Sequence, residues 1–249
     1  MKRGRTAALV TGAARGIGKA CAMDLAEAGY DLAIVDLLEP EMADTAELLR
    51  DKGARVMTFA ADVADHARAS GVVAQTIAGL GRLDVLVNNA GRSAPRGILE
   101  MTEAEFDRAI AINLKSCFNY IQPTARHMME HGGGRIISIS SLNALSGGVT
   151  AAVSRFAYAS AKAGILGMTR ALAKELGPKV LINAICPGVI QTEVETHITL
   201  QSEKFTKGIA AGRLGCAQDV SRLVTFLATS EPCFMTGQAL TVDGFQFNM

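Results

Sequence analysis

The stretch that most restricts what this chain can fold into lies near its start. Thr6-Ala7-Ala8-Leu9-Val10 is a short apolar run that suits a buried strand. It leads into Thr11-Gly12-Ala13-Ala14-Arg15-Gly16-Ile17-Gly18, then a helical pattern from about Ile17 to Ala28, with Gly29 as its stop. A strand, a glycine turn and a helix together make an anion site. The glycines let the backbone approach a pyrophosphate, and the helix N-terminus offers unpaired N–H groups and a positive dipole end. The spacing is G-x-x-x-G-x-G rather than the commoner G-x-G-x-x-G, so the general dinucleotide fingerprint does not match. A glycine turn without any ligand has the same local pattern, and only the rest of the chain separates the two.

Strand and helix patterns then alternate at regular spacing. Asp31–Val35 reads as a second strand ending at Asp36, and Glu41–Lys52 as a helix. Arg55–Ala60 is a third strand, followed by Asp62-Val63 and a helix from about Ala64 to Leu80. Asp84–Val87 is the fourth strand, closed by Asn88-Asn89-Ala90-Gly91. Thr102-Glu103-Ala104-Glu105 fits a capping box, opening a long helix that carries Asn113 and ends near His131. Asn113 is a mediocre mid-helix residue, either an ordinary polar position or a local kink. Arg135–Ser140 and Val180–Cys186 are the fifth and sixth strands, with the helix of Tyr158 running to about Leu176 between them. A helix from about Gln218 to Ala228 and a strand at Ala239–Val242 close the chain. This alternation predicts an α/β fold, a doubly wound parallel sheet with helices on both faces. No repeat or linker divides the 249 residues, so one domain over 1–249 is expected, with a lid around 188–213 where periodicity is weak.

Composition narrows the function. Formal charge is +1 and no basic patch stands out, which argues against a nucleic-acid partner. No apolar run approaches membrane-spanning length, and the apolar stretch after the basic start is soon broken by Thr11-Gly12, so neither a membrane partner nor a signal peptide is expected. The five cysteines, Cys21, Cys117, Cys186, Cys216 and Cys233, are scattered and never C-x-x-C, which suggests a reducing, cytoplasmic setting. His127 and His131 could share a helix face, but two ligands fall short of the usual three or four, and no metal is expected.

Two further features bear on chemistry. Tyr158 and Lys162 are four residues apart and share a helix face. A phenol is a poor acid at neutral pH, with an ordinary pKa of about 10. A nearby ammonium favours the phenolate, so the pair suits proton exchange with an alcohol or a carbonyl. Asp36 stands at the end of the second strand, where an acidic residue binds ribose hydroxyls and repels a 2′-phosphate. Leu37 and Leu38 come next, with no arginine, which argues for NAD over NADP. Arg15 in the glycine turn pulls the other way, because it could meet a 2′-phosphate.

Taken in order, Thr11-Gly12-x-x-x-Gly16-x-Gly18, Asp36, Asp62-Val63, Asn88-Asn89-Ala90-Gly91, Asn113, Ile139-Ser140-Ser141, Tyr158-x-x-x-Lys162, Pro187-Gly188-x-x-x-Thr192 and Val242-Asp243-Gly244 cover nearly the whole chain. In these pieces the chain resembles the short-chain dehydrogenase/reductase family. Each is weak alone, but their joint order and spacing are specific.

The resemblance implies a Rossmann-type fold and a tetrad of Asn113, Ser141, Tyr158 and Lys162. Tyr158 would be the general base for oxidation and the general acid for reduction. Lys162 would favour its phenolate and hold the nicotinamide ribose, and Asn113 would fix a water that links Lys162 to solvent. Ser141 would hydrogen-bond the substrate oxygen. Strand alternation puts Ser138 and Ser140 on one face and Ser141 on the other, without saying which face holds the site. By the same resemblance Gly12, Arg15, Gly16 and Ile17 would line the pyrophosphate turn, with Asp36 on the ribose and Asp62 and Val63 on the adenine. Asn89 and Gly91 would lie under the cofactor, and Ile190 and Thr192 would contact the nicotinamide amide. A homotetramer is also implied.

The expected activity is NAD(H)-dependent interconversion of a secondary alcohol and a ketone, a small molecule such as a sugar, polyol or hydroxy acid. The alternatives are an NADPH-dependent 3-oxoacyl-thioester reductase and, from another class, a cofactor-sensing protein without turnover. Arg92, Arg96, Asn143, Arg155 and His197 lie in segments expected around the pocket, although solvated loop residues would look the same. The chain departs from the family pattern in three places. The segment between Ser141 and Tyr158 is long, Gly215–Asp219 lacks a proline, and Phe245 replaces a usual second glycine.

Overall fold

The computed structural model describes residues 5–147, 154–193, 206 and 208–246. Its centre is a seven-stranded parallel sheet of β1 (Ala7–Thr11), β2 (Asp31–Asp36), β3 (Val56–Ala60), β4 (Val85–Asn88), β5 (Gly134–Ile139), β6 (Val180–Pro187) and β9 (Ala239–Val242). The spatial order is β3-β2-β1-β4-β5-β6-β9. The chain runs outward from β1 to β3, then returns to β4 on the other side of β1. That reversal opens a crevice at the carboxyl ends of β1 and β4, where ligands of open α/β sheets bind. Val10 lies level with both Ile34 and Val87, so the three strands end together below the crevice.

Successive residues of β1 face opposite sides, because side chains alternate along a strand. Ala8 and Val10 pack with Cys21 and Leu25 of α1 (Gly16–Glu27), Met42 and Leu49 of α2 (Glu39–Asp51), and Val220 and Val224 of α8 (Ala217–Thr229). Ala7 and Leu9 pack with Val72 of α3 (His66–Leu80), Tyr120 and Met128 of α5 (Ser116–Glu130), and Ile165 of α7 (Phe156–Leu176). Both faces of the sheet are therefore covered, which is why its strands read as continuous apolar runs. Asp65 caps α3 by accepting from the Arg68 N–H, so this helix starts two residues later than its pattern suggested.

The helix expected from Thr102 to His131 is interrupted. Thr102 and Glu105 do form a capping box at the start of α4 (Glu103–Ile110), but Ala111–Lys115 is a π-helical segment before α5 begins. The cause is Asn113. Its side-chain amide donates to the Ala109 carbonyl at 3.0 Å, the acceptor that an α-helix would give to the residue 113 N–H. The expected lid has a described base only. There β7 (Ile190–Gln191) pairs with β8 (Gly215–Cys216), while residues 194–205 and 207 lie outside the described residues. The short helix α6 (Asn143–Ser146) comes after β5. Among the described residues no helix is long and apolar enough to cross a membrane.

Candidate active site

A cleft of about 930 Å³ lies over the carboxyl ends of the parallel strands. At one end the chain turns sharply after β1. Gly12 and Gly16 have φ of +67° and +57°, a region that favours glycine. A Cβ on Gly18 would lie 2.0 Å from the Gly12 carbonyl oxygen, so α1 can pack this close only without a side chain there. Asn89 braces the turn from the end of β4, its amide donating to the Thr11 and Gly12 carbonyls at 3.0 Å each. The backbone N–H groups of Asn89 and Ala90 in turn donate to Thr11 Oγ1. The result is a rigid turn whose outer backbone and helix N-terminus face the cleft.

Asp36 ends β2 beside this turn. One carboxylate oxygen accepts from the Ala14 N–H at 3.0 Å, and the other from the Leu37 and Leu38 N–H groups at 2.8 and 3.2 Å. Asp62 lies on the next wall. Burial works against its charge, but the Ala64 N–H and the Arg108 guanidinium, 2.7 Å away, outweigh that and hold the carboxyl below its usual range. Arg108 also lines the cleft, and nothing in its neighbours along the sequence marked it.

At the other end Tyr158 and Lys162 come from successive turns of α7. Lys162 is 3% exposed, and its Nζ donates to the Ile139 carbonyl at 2.7 Å while lying 5.6 Å from the Tyr158 ring centroid. The three serines of β5 and its end separate clearly. Ser138 is buried near Asn88, and Ser140 spends its hydroxyl on the Lys162 carbonyl at 2.8 Å. Ser141 lines the cleft, as Ser140 does, but its Oγ accepts from the Asn143 N–H rather than donating to Lys162.

Asn113 is the one member of the expected set that does not line the cleft. It is 1% exposed and stands behind Gly91, where an added Cβ would meet Asn113 Oδ1 at 3.0 Å and Lys162 Nζ at 3.4 Å. Asn113 Oδ1 accepts from the Arg92 N–H, and its amide donates to the Arg92 and Ala109 carbonyls. Both amide hydrogens are thus committed to protein groups, so this side chain can meet a water only as an acceptor. All thirteen residues expected around a cofactor, Gly12, Arg15, Gly16, Ile17, Asp36, Asp62, Val63, Asn89, Gly91, Tyr158, Lys162, Ile190 and Thr192, line the cleft.

The family model described as "Enoyl-(Acyl carrier protein) reductase" matches residues 12–244, a range that takes in the glycine turn, Tyr158 and Lys162. The chain belongs to the short-chain dehydrogenase/reductase family. The chain is 38% identical to the (2S)-[(R)-hydroxy(phenyl)methyl]succinyl-CoA dehydrogenase subunit BbsD of Thauera aromatica, over 95% of this chain and 94% of that one. It is 35% identical to the 3-oxoacyl-[acyl-carrier-protein] reductase FabG of Staphylococcus aureus, over 95% and 96% of the two chains. Among solved structures, ElxO with NADP bound superposes with a TM-score of 0.89 at 28% identity, over 98% of this chain and all of that one. As a short-chain dehydrogenase/reductase the chain is a nicotinamide-dependent oxidoreductase. Its own residues fit such a cofactor: glycine at 18 lets α1 start tight against the turn, and the turn, Asp36, Tyr158 and Lys162 line one continuous cleft.

The substrate candidates divide. Arg92 is exposed and lines the cleft, as does Asn143. Arg96 is paired with Glu105 at 3.0 Å. Arg155 lines a separate hollow of about 370 Å³ with Ile98, Leu99 and Phe156. His197 lies outside the described residues. The C-terminal segment also contributes, since Gln246 lines the cleft and its Oε1 accepts from the Val189 N–H at 3.2 Å.

Proposed function

We propose that the enzyme is an NAD(H)-dependent oxidoreductase that interconverts a secondary alcohol and a ketone, with Tyr158 as acid/base. The observation that carries this reading is that Tyr158, Ser141 and Lys162 face the cleft whose opposite end is Asp36. Bound nicotinamide would accept or return the hydride. In oxidation Tyr158 Oη takes the hydroxyl proton as the carbon–oxygen double bond forms, and in reduction it gives that proton back. The Ser141 hydroxyl, oriented through its bond from the Asn143 N–H, donates to the substrate oxygen. Lys162 holds its charge beside the phenol and binds the nicotinamide ribose. Asn113 fixes the backbone of Arg92 and so the wall that Gly91 starts. The whole chain acts as one dinucleotide-binding and catalytic unit.

Asp36 supports NAD over NADP. A carboxylate that already accepts three backbone N–H bonds is held in place to receive ribose hydroxyls, and its charge repels a 2′-phosphate. The exposed Arg92 favours a substrate with an anionic group beside its hydroxyl or carbonyl, within the hydroxy acids and related compounds. The second reading is an NADPH-dependent 3-oxoacyl-thioester reductase. The likeness to FabG favours it, together with Arg15 in the cleft wall. Membership of the short-chain dehydrogenase/reductase family supports assembly of copies into a homotetramer. Five cysteines without a disulfide fit a reducing, cytoplasmic setting.

Melting temperature measured with NADH and with NADPH at equal concentration separates the two readings, because a ligand that binds only the folded state raises apparent stability. A larger rise with NADH is expected. A larger rise with NADPH overturns the assignment of Asp36.

A further inference from the structure

The N–H of Gly16 already has an anion. Gly16 opens α1, so its N–H is among the first four of the helix, which have no partner within it. Arg15 precedes it and supplies no side-chain cap. Instead the carboxylate of Glu193, 177 residues further along, accepts from the Gly16 N–H at 2.9 Å.

Several features bring that carboxylate there. The strand pair of Ile190 with Gly215 and Gln191 with Cys216 fixes the chain just before it. Thr192 then lies across the glycine turn, its Cγ2 3.3 Å from where a Cβ of Gly16 would stand. A side chain at position 16 would press on Thr192, and φ of +57° disfavours one, so glycine suits this close approach. Hydrogen bonding by its own backbone N–H holds the Glu193 carboxyl below the usual carboxylate range. Burial opposes that, and the Gly16 N–H, Lys19 and Arg15 reinforce it. Glu193 is thus charged at neutral pH and sits where the dipole of α1 attracts negative charge.

On the proposed reading the cofactor's pyrophosphate binds at these same N–H groups. Two anions cannot share them. We infer that Glu193 stands in for the pyrophosphate, and that its displacement sets the affinity of the enzyme for its cofactor. Glu193 then tunes cofactor affinity from the cofactor's own place and does not touch the reacting atoms. Its displacement also moves the residue next to Thr192, which the same reading sets against the nicotinamide amide. Cofactor binding at the turn and the position of Thr192 are therefore coupled through one peptide unit.

The inference rests on the glycine turn being the pyrophosphate site, and the test keeps the two apart. ADP-ribose carries the pyrophosphate without the nicotinamide, and adenosine carries neither. Both are titrated calorimetrically into the wild-type protein, Glu193→Gln and Glu193→Ala. Glu193 is exposed, so neither substitution threatens the fold. The expected result is that both variants bind ADP-ribose roughly two- to five-fold more tightly, the range for one charge at a helix N-terminus, with adenosine unchanged. ADP-ribose binding that is unchanged or weaker in the variants overturns the role of Glu193. Equal tightening of adenosine overturns it as well, because the effect would not track the pyrophosphate. Failure of the wild-type protein to bind ADP-ribose at all overturns the underlying reading of the turn.

Discussion

Lys162 Nζ lies 5.6 Å from the centre of the Tyr158 ring and is held there by the Ile139 carbonyl, 2.7 Å away. One helical turn separates the two residues on α7, so the helix itself sets their spacing. The ammonium is almost fully buried and its bond to Ile139 ties it to the end of β5. Replacing it with methionine keeps the bulk and removes the charge and the donor. For Lys162→Met we expect turnover to fall by about 10² or more and the KM for the cofactor to rise, with the fold retained by circular dichroism. A change in only one of the two kinetic constants would separate the acid/base role of Lys162 from its role on the ribose.

Asp36 fills three backbone N–H groups, those of Ala14, Leu37 and Leu38. Removing the carboxylate frees those donors and lifts the repulsion of a phosphate. Bonds to a charged group are worth about 1.5–3 kcal/mol, so Asp36→Ala should weaken NADH binding by roughly tenfold or more, with NADPH unaffected or improved. Fluorescence titration of the two reduced cofactors reads the ratio directly. A ratio that does not move would mean that Asp36 only closes the turn.

Phe245 has φ of +68°, in the left-handed region, and is the one non-glycine residue there among those described. This is the place where the family pattern has a second glycine. Left-handed backbone costs a side-chain-bearing residue about 1–2 kcal/mol, and glycine gives back about 0.5–1 kcal/mol through its freer unfolded chain. Phe245→Gly should therefore stabilise the isolated chain slightly, by up to about 1 kcal/mol in urea unfolding. The Phe245 ring is 57% exposed, so little packing is lost. A clear loss of stability would mean that the ring is covered in the assembled enzyme.

Arg213 and Asp219 form a two-bond pair at 2.6 and 2.8 Å, and Asp219 also accepts from the Cys216 N–H at the start of α8. The Arg213 guanidinium first, then the Cys216 N–H, hold the Asp219 carboxyl well below its usual range. A carboxyl with a folded-state pKa below the unfolded one stabilises fully above the unfolded value of about 3.9. That contribution is lost as pH falls through the folded value. Between about pH 5 and pH 2 the melting temperature of the wild-type protein should thus fall more steeply than that of Asp219→Asn. Parallel curves would show that the pair is solvent-screened and contributes little, as many surface pairs do.

Much of the fold could be read along the chain, because strands such as β1 and β2 are apolar runs and helices such as α1 and α3 stop close to a glycine. The π-helical segment could not. It depends on Asn113 bonding the backbone of Arg92, 21 residues earlier in the chain, and on its amide taking the Ala109 carbonyl. Strand alternation separated Ser141 from Ser138 and Ser140 but not the face of the site; the bond from Ser140 Oγ to the Lys162 carbonyl makes that distinction visible. Arg108 and Glu193 escaped notice for a similar reason. Their partners, Asp62 and Gly16, are 46 and 177 residues away, and no local pattern encodes such a contact.

The acid/base role of Tyr158 is tested by the Tyr158→Phe variant, measured for both turnover and NADH affinity. The substitution removes one oxygen and leaves the ring beside Lys162. Turnover should fall by about 10² or more, with NADH bound as tightly as by the wild-type enzyme. Turnover near the wild-type level would contradict the assignment of Tyr158 as the acid/base, whatever the cofactor.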